Sequence, residues 1–157
     1  MNRFGFTFME LMIAATILTV ALVALLGVFA GNFGLIEWGG DLTIAVNHAQ
    51  CVMEEMRQRN IPSAITAEDW TDWAQTSLAS SGGGLNSLTG EAINVSYPSG
   101  TGAVPLEIVV TVCWQKKGGQ VVGEDSDLDG ELDAGEDDNL NNRLDSPAQL
   151  VTLFMER

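Results

Sequence analysis

Basic side chains are scarce in this chain. Seven Lys and Arg residues stand against 21 Asp and Glu residues, and the formal net charge at pH 7 is −14. Nucleic-acid binding depends on cations that neutralise phosphates, so this balance argues against any contact between the protein and nucleic acid. His48 is the only histidine and has no set of ligand partners around it. We therefore expect His48 to be a surface or boundary residue.

The residue sets of common catalytic sites are also missing. The sequence has no Ser/His/Asp constellation, no phosphate-binding glycine loop before a helix and no zinc-ligand spacing. Paired carboxylates are plentiful, but they follow a different pattern, described below. We accordingly expect a protein that is not an enzyme.

Charge is absent from residues 11–36, and the only polar side chains there are those of Thr16, Thr19 and Asn32. A helix of this length crosses the roughly 30 Å hydrocarbon core of a bilayer. A secretory signal peptide fits less well, because the run is long, only Arg3 is basic before it, and no small-residue cleavage site closes it. Hydropathy alone therefore favours a single-span membrane anchor.

Glu10 stands at the front of this apolar run. A carboxylate at that depth costs roughly 2–3 kcal/mol or more unless it is paired. One interpretation is that it reaches the lipid headgroups. The other is that cleavage after Gly5 creates an α-amino group on Phe6, which pairs with Glu10 of a neighbouring subunit. At about 4 Å and an effective dielectric of about 20, that attraction is about 4 kcal/mol and can offset burial.

The stretch MNRFG followed by FTFMEL resembles the class III signal of type IV prepilins and pseudopilins. The matching residues are the basic Arg3, Gly5 before the cut, the aromatic Phe6, and Glu10 as the fifth mature residue. Aliphatic residues are commoner in that family at the two positions before the glutamate. The resemblance implies cleavage after Gly5 and N-methylation of Phe6 by a prepilin peptidase. It also implies assembly with other pilin or pseudopilin subunits by an inner-membrane platform.

This resemblance implies a division of the chain. Residues 1–5 form a leader peptide, residues 6–38 a transmembrane and filament-core helix, and residues 39–157 the rest of the helix and a globular head. The protein is then a single-pass protein of the inner membrane before assembly, and part of a periplasmic or extracellular filament afterwards. Segments around the two cysteines resemble most the PilV-type minor pilins and the I-type minor pseudopilins.

Residues 41–60 carry an apolar stripe at spacings of three, four and seven, formed by Leu42, Ala45, Ala49, Val52, Met53 and Met56. This stripe predicts a helix that covers a sheet. Asp41, which follows two glycines, could cap a second helical segment, and Pro62 ends the helix. A short helix is predicted around residues 67–78, where Trp70 and Trp73 could share a face packed on the sheet.

Alternating β-branched and apolar residues then predict three strands, at 92–97, 106–115 and 149–156. A helix followed by antiparallel strands predicts an α+β fold, in which the long N-terminal helix lies across a small antiparallel sheet. A pilin-like head has this plan. In this chain, an acidic insert at residues 124–147 precedes the last predicted strand.

Cys51 and Cys113 are the only cysteines, one on the predicted helix and the other on the predicted central strand. Contact between them is geometrically plausible. Outside the cytoplasm they could form a disulfide closing about 60 residues, worth roughly 4 kcal/mol in the chain-entropy model. The alternative is two buried free thiols.

Residues 125–136 read DSDLDGELDAGE, which matches the EF-hand calcium loop in full. Glycine at the sixth place permits the sharp turn, and glutamate at the twelfth can close the shell with two oxygens. The predicted ligands are the side chains of Asp125, Asp127, Asp129, Asp133 and Glu136 and the backbone carbonyl of Glu131.

The pattern repeats after 12 residues, with further ligands predicted at Asp137, Asn139, Asn141 and Asp145. This copy is poorer, because Asn142 replaces glycine and Ala148 stands where the closing glutamate would be. We expect one good calcium site and one weaker or shared site. The alternative for this segment is a disordered acidic tail, because its ten carboxylates face a single cation, Arg143.

Three functions remain open. The first is a subunit of a type IV pilus or a type II secretion pseudopilus, assembled through its N-terminal helix and stabilised in its head by calcium. The second is a single-pass, membrane-anchored calcium-binding module that does not enter a filament. The third is an adhesive tip protein, in which exposed tryptophans or the acidic loop bind a ligand.

Overall fold

The computed structural model describes residues 7–59, 61–78 and 88–155. Four helical elements precede four strands: α1 (Phe8–Arg59), α2 (Pro62–Thr66), α3 (Trp70–Trp73), a π-helical segment (Ala74–Leu78), β1 (Thr89–Ser96), β2 (Leu106–Gln115), β3 (Val121–Val122) and β4 (Ala148–Phe154). The predicted α+β layout, a long apolar N-terminal helix packed on a small antiparallel sheet, is confirmed. Gly5 and Phe6, the predicted processing residues, lie outside the described residues.

The chain divides into two compact units, residues 1–40 and 41–157. In the first unit the apolar side chains of α1 are exposed from Phe8 onward, and the helix is long and apolar enough to cross a membrane. The hydroxyls of Thr16 and Thr19 donate to the carbonyls of Met12 and Ala15, each at 2.8 Å. These bonds satisfy the polar groups of a segment that would otherwise leave them unpaired in lipid.

Helix α1 runs without a break through Gly39, Gly40 and Asp41. The expectation that Asp41 caps a second helical segment is therefore wrong. A glycine in a helix costs only about 1 kcal/mol relative to alanine, and good helix-forming segments on both sides outweigh that cost.

The second unit is built around the end of α1 and the sheet. The predicted stripe of α1 is buried at Ala45, Ala49, Val52, Met53 and Met56, and Leu42 packs against the same core. Its sheet partners are the alternate residues of β2, namely Leu106, Ile108, Val110, Val112 and Trp114. This packing confirms the predicted role of the methionine-rich stripe as core.

Strand β2 is the centre of the sheet. It pairs antiparallel with β1 on one side, and with both β3 and β4 on the other. The residues that alternate with its helix-facing side chains, Val109, Thr111 and Cys113, are also buried. The acidic segment between β3 and β4 covers this second face, where Thr111 Oγ1 donates to the carbonyl of Leu144 at 3.1 Å.

The tryptophans pack as predicted. Trp70 is buried, and its Nε1 donates to the carbonyl of Ile65 at 2.8 Å. Trp73 is half-buried and meets Trp70 edge-on, with ring centroids 5.5 Å apart. The helix predicted over residues 67–78 begins at Trp70, because Asp69 caps it by accepting from the amides of Thr71 and Asp72. It consists of α3 and the π-helical segment.

His48 is buried, contrary to the expectation of a surface or boundary position. Only 6% of it is exposed, and its Nδ1 lies 2.5 Å from Oε1 of Glu91. The partner stands 43 residues away in the sequence. The residues close to His48 in the sequence therefore give no indication that Glu91 is its partner.

The predicted contact between Cys51 and Cys113 is wrong. Both thiols are free; Cys51 is exposed on α1, and Cys113 is buried on the face of β2 that points away from α1. A Cβ atom placed on Gly123 would lie 2.3 Å from Cys113 Sγ, which shows how closely the acidic segment covers this thiol. The sheet itself separates the two cysteines.

We expect alkylation of the native protein without reductant to label Cys51 and to leave Cys113 unmodified until the head is unfolded. Burial raises the pKa of the Cys113 thiol to about 11, which suppresses the reactive thiolate as well as access to it. Peptide mass spectrometry before and after denaturation measures both sites. Recovery of a Cys51–Cys113 disulfide from native protein would contradict this arrangement.

Candidate metal centre

The acidic segment leaves β2 and returns to it. Val122, in β3, pairs with Trp114, and Ala148, at the start of β4, pairs with Val112. Both ends of the segment are therefore fixed on one strand. The insert predicted at 124–147 lies where the sequence analysis placed it, directly before the last strand, with strands rather than helices on its two sides.

Two carboxylates tie the first predicted calcium loop together. Asp125 is fully buried; its Oδ1 accepts from the Leu128 amide at 2.7 Å, and its Oδ2 accepts from the Gly130 amide at 2.9 Å. Glu136 is 5% exposed and accepts from the amides of Ser126 at 2.7 Å and Asp133 at 3.1 Å. The first and last predicted ligands thus hold the loop closed.

All five predicted side-chain ligands of this loop come together in two groups. Ligand atoms of Asp125, Asp127 and Glu136 lie within 4.8 Å of one another, and so do those of Asp127, Asp129 and Asp133. Asp127 belongs to both groups, so they are continuous. These oxygens could hold a metal ion. The role predicted for the Glu131 carbonyl stays a prediction.

The pKa values of the two buried carboxyl groups, Asp125 and Glu136, are shifted in opposite directions. Burial raises the pKa of Asp125, and the nearby charges of Glu136 and Asp129 add to this effect, although the amides of Gly130 and Leu128 oppose it. Burial also acts to raise the pKa of Glu136, but hydrogen bonds from Asp133 and Ser126 outweigh it, and the pKa of Glu136 is lowered. Asp125 therefore feels the repulsion within the cluster, which a bound cation would relieve.

The loop is docked on the rest of the head at Gly130. Its φ of +84° is left-handed, and a Cβ atom there would lie 2.8 Å from Thr71 Cγ2 and 3.0 Å from the Ile93 carbonyl oxygen. The Asn94 side-chain amide donates to the Gly130 carbonyl at 2.8 Å. The sequence pattern explains this glycine by the turn of the loop alone. Its second role, close approach to α3 and β1, needed the tertiary structure.

The second copy of the pattern repeats the backbone of the first. Leu128 and Leu140, both at the fourth place, have φ values of 62° and 60°. Asn142, at the sixth place, has φ 62°, so it adopts the left-handed conformation of the glycine it replaces. The 12-residue repeat read from the sequence is thus a repeat of conformation.

The hydrogen bonds repeat as well. Asp137 Oδ2 accepts from the Asn142 amide at 2.7 Å, as Asp125 Oδ2 accepts from Gly130. Asn141 Oδ1 accepts from the Arg143 amide at 3.0 Å. The corresponding bond in the first loop joins Asp129 Oδ1 and the Glu131 amide at 2.7 Å.

Glu124 takes the place of the glutamate that the second copy lacks at Ala148. Its Oε2 accepts from the Asp145 amide at 3.0 Å, just as Glu136 accepts from Asp133. The sequence analysis missed this residue. The signal was present in the 12-residue period, because Glu124 stands 12 residues before Glu136.

The second loop is held by its own side chains. Asp145 Oδ2 accepts from the side-chain amides of Asn139 and Asn141, each at 2.7 Å. Burial acts to raise the pKa of Asp145, but hydrogen bonds from Gln149 and the two asparagines lower it. Within residues 7–59, 61–78 and 88–155, two clusters of three acidic residues could hold a metal ion, and both lie in the first loop. A second, weaker metal site stays a prediction.

No protein-family model, curated protein or solved structure matches this chain. The likeness of its N-terminal residues to prepilins therefore stands on those residues alone.

We expect Gly130→Ala to destabilise the head by about 1–3 kcal/mol more than Gly135→Ala, since the added methyl collides with Thr71 and the Ile93 carbonyl. Both glycines have a positive φ, but a Cβ atom at Gly135 meets nothing within 4 Å. Comparison of the two variants thus separates the effect of the steric collision at Gly130 from the effect of backbone strain. Thermal or denaturant unfolding measures the difference, and equal losses would show that the loop does not pack on α3 and β1.

Proposed function

We propose that this chain is a non-enzymatic subunit of a type IV pilus or a type II secretion pseudopilus, with a head stabilised by calcium. The observation that carries the proposal is Glu10, a carboxylate in the first turn of a helix whose following side chains are apolar and exposed. A filament built through that helix gives both the apolar surface and the carboxylate a partner.

The local contacts of Glu10 leave its carboxylate available. Thr7 caps the helix, because its Oγ1 accepts from the Glu10 amide at 3.3 Å. Thr7 and Glu10 have the spacing of a capping box, in which the glutamate side chain bonds back to the amide of the cap. Within residues 7–59, 61–78 and 88–155, no such return bond and no ion pair engages the Glu10 carboxylate.

Cleavage after Gly5 would supply the missing cation as the α-amino group of Phe6. We propose that this group pairs with Glu10 of a neighbouring subunit. Between staggered neighbours the two can meet, and the pair would be desolvated by the surrounding helices, where its attraction is strongest. The processing enzyme in this proposal is a prepilin peptidase. The other partners are fellow pilin or pseudopilin subunits and the inner-membrane assembly platform.

Calcium is the proposed ion of the first loop. All predicted ligands are oxygen atoms, which suit hard cations, whereas zinc sites use nitrogen and sulfur ligands. The EF-like register and the closing Glu136 favour calcium over magnesium, which demands stricter octahedral geometry. An affinity of roughly 0.1–1 mM, as in extracellular modules, suits a head that works outside the cytoplasm.

The single-span anchor without assembly explains the apolar helix and the metal centre, but it gives Glu10 no role. Adhesion through exposed tryptophans has less support, because Trp70 is buried and Trp73 half-buried. Assembly is therefore the function that the described residues support best.

We expect calcium to bind the protein with a measurable heat in isothermal titration, and Glu136→Gln to weaken the binding at least about tenfold, or about 1.4 kcal/mol. Glu131→Gln is the matched control, because it removes the same charge from the same loop while leaving the predicted carbonyl ligand. No heat at millimolar calcium, or equal losses in the two variants, would contradict the assignment of the ion to this loop.

For assembly, we expect Glu10→Ala to insert into the membrane normally and to enter filaments at least about tenfold less, since about 1.4 kcal/mol of lost pairing is enough for that factor. Glu37→Ala, which removes the other carboxylate of the first unit, is the control. Gly5→Leu should block processing and assembly together. Quantitative mass spectrometry of purified filaments and membranes measures all three.

Wild-type incorporation by both the Glu10→Ala and the Gly5→Leu variants would favour the lone membrane anchor instead. Such a result would leave the calcium titration unaffected, so the two parts of the proposal are tested separately.

A further inference from the structure

A buried histidine–carboxylate pair joins α1 to the sheet. His48 Nδ1 and Glu91 Oε1 are 2.5 Å apart, and the side chains are 7% and 0% exposed. His48 lies on the buried stripe of α1 between Ala45 and Ala49, and Glu91 lies in β1. The head therefore places an ionisable pair inside the layer where its helix and sheet meet.

A bulge in β1 presents Glu91 to the helix. Thr89 pairs with Gln115 and Ala92 with Cys113, so Gly90 and Glu91 together stand opposite one residue, Trp114. Gly90 has a φ of +54°, the left-handed conformation that such bulges require at their first position. Regular antiparallel pairing requires neither a bulge nor a buried carboxylate. The bulge that directs Glu91 into the core is therefore a specific structural feature.

The pair has few other partners. Glu91 Oε2 is buried and has no hydrogen-bond partner among the described residues. From α1 the only titratable group that acts on Glu91 is His48. Across the bulge, β2 presents Trp114 and Gln115, which do not ionise, and the first predicted calcium loop presents the apolar Leu128 against Gly90. The protonation of Glu91 therefore decides whether this buried layer holds a negative charge.

We propose that His48 and Glu91 form a proton-dependent lock between α1 and the sheet, which holds in mildly acidic conditions and weakens as the pH rises. With a proton on Glu91, the carboxyl group is uncharged and forms a hydrogen bond with His48. When Glu91 loses its proton, a charged carboxylate is left buried, and its second oxygen has no donor among the described residues. The helix then loses a tie to β1 at the level of the bulge.

The sign of the effect follows from linkage between protonation and folding. Burial raises the pKa of Glu91 from 4.5 to about 7, although the hydrogen bond and charge of His48 act in the opposite direction. The folded head thus holds the proton more tightly than the unfolded chain does. This contribution to stability is fully present below pH 4.5, and it is lost as the pH rises through about 7.

The test compares unfolding of the full chain in detergent micelles at pH 5 and pH 8, with calcium held saturating. We expect the unfolding equilibrium constant of the wild type to rise with pH on the order of a hundredfold more than that of Glu91→Gln, whose amide cannot ionise. Glu54→Gln, which removes an exposed carboxylate of the same helix, should keep the wild-type slope. Equal slopes in wild type and Glu91→Gln would overturn the proposal.

A second measurement does not depend on the variant folding. Carbon-13 NMR of the Glu91 carboxyl in the wild type should give a midpoint near 7, far above the ordinary glutamate value of 4.5. In His48→Gln the midpoint should move higher still, because the group that opposes the shift is gone. A wild-type midpoint near 4.5 would show that the pair carries no such lock.

Discussion

The burial of β2 on both faces is the constraint on which the head depends. Ten residues of alternating apolar and β-branched character, Leu106–Gln115, need one layer above and another below. The amphipathic end of α1 supplies the first layer. The acidic segment supplies the second layer and is fixed on β2 at both ends.

That arrangement brings carboxylates of the acidic segment close enough together that they could hold a metal ion. A segment with ten carboxylates and one arginine would repel itself and stay extended in water. Here its backbone amides donate to Asp125 and Glu136, and it is held to the sheet through Thr111 and Asn94. The repulsion that remains among the clustered oxygens is what a bound calcium ion would offset. Metal binding and packing against β2 then stabilise the same structure.

Periodic features of the sequence predicted the structure well, and isolated residues did not. The stripe of α1, the strands and the 12-residue repeat each draw on many positions, so a single exception such as Asn142 did not hide the repeat. His48 was misjudged, because its partner lies in a distant strand and is presented by a bulge. The two cysteines were wrongly expected to approach, because alternation along β2 shows that faces differ but not which one the helix covers.

Hydrogen exchange of the full chain, with calcium and with a chelator, tests the central claim that the acidic segment is a metal-ordered layer of the head. We predict that calcium slows exchange at the amides of residues 125–136, especially those of Ser126, Leu128, Gly130 and Asp133, which donate to Asp125 and Glu136. Slower exchange should extend to β2 beneath them. Fast exchange throughout this segment, unchanged by millimolar calcium, would contradict the account.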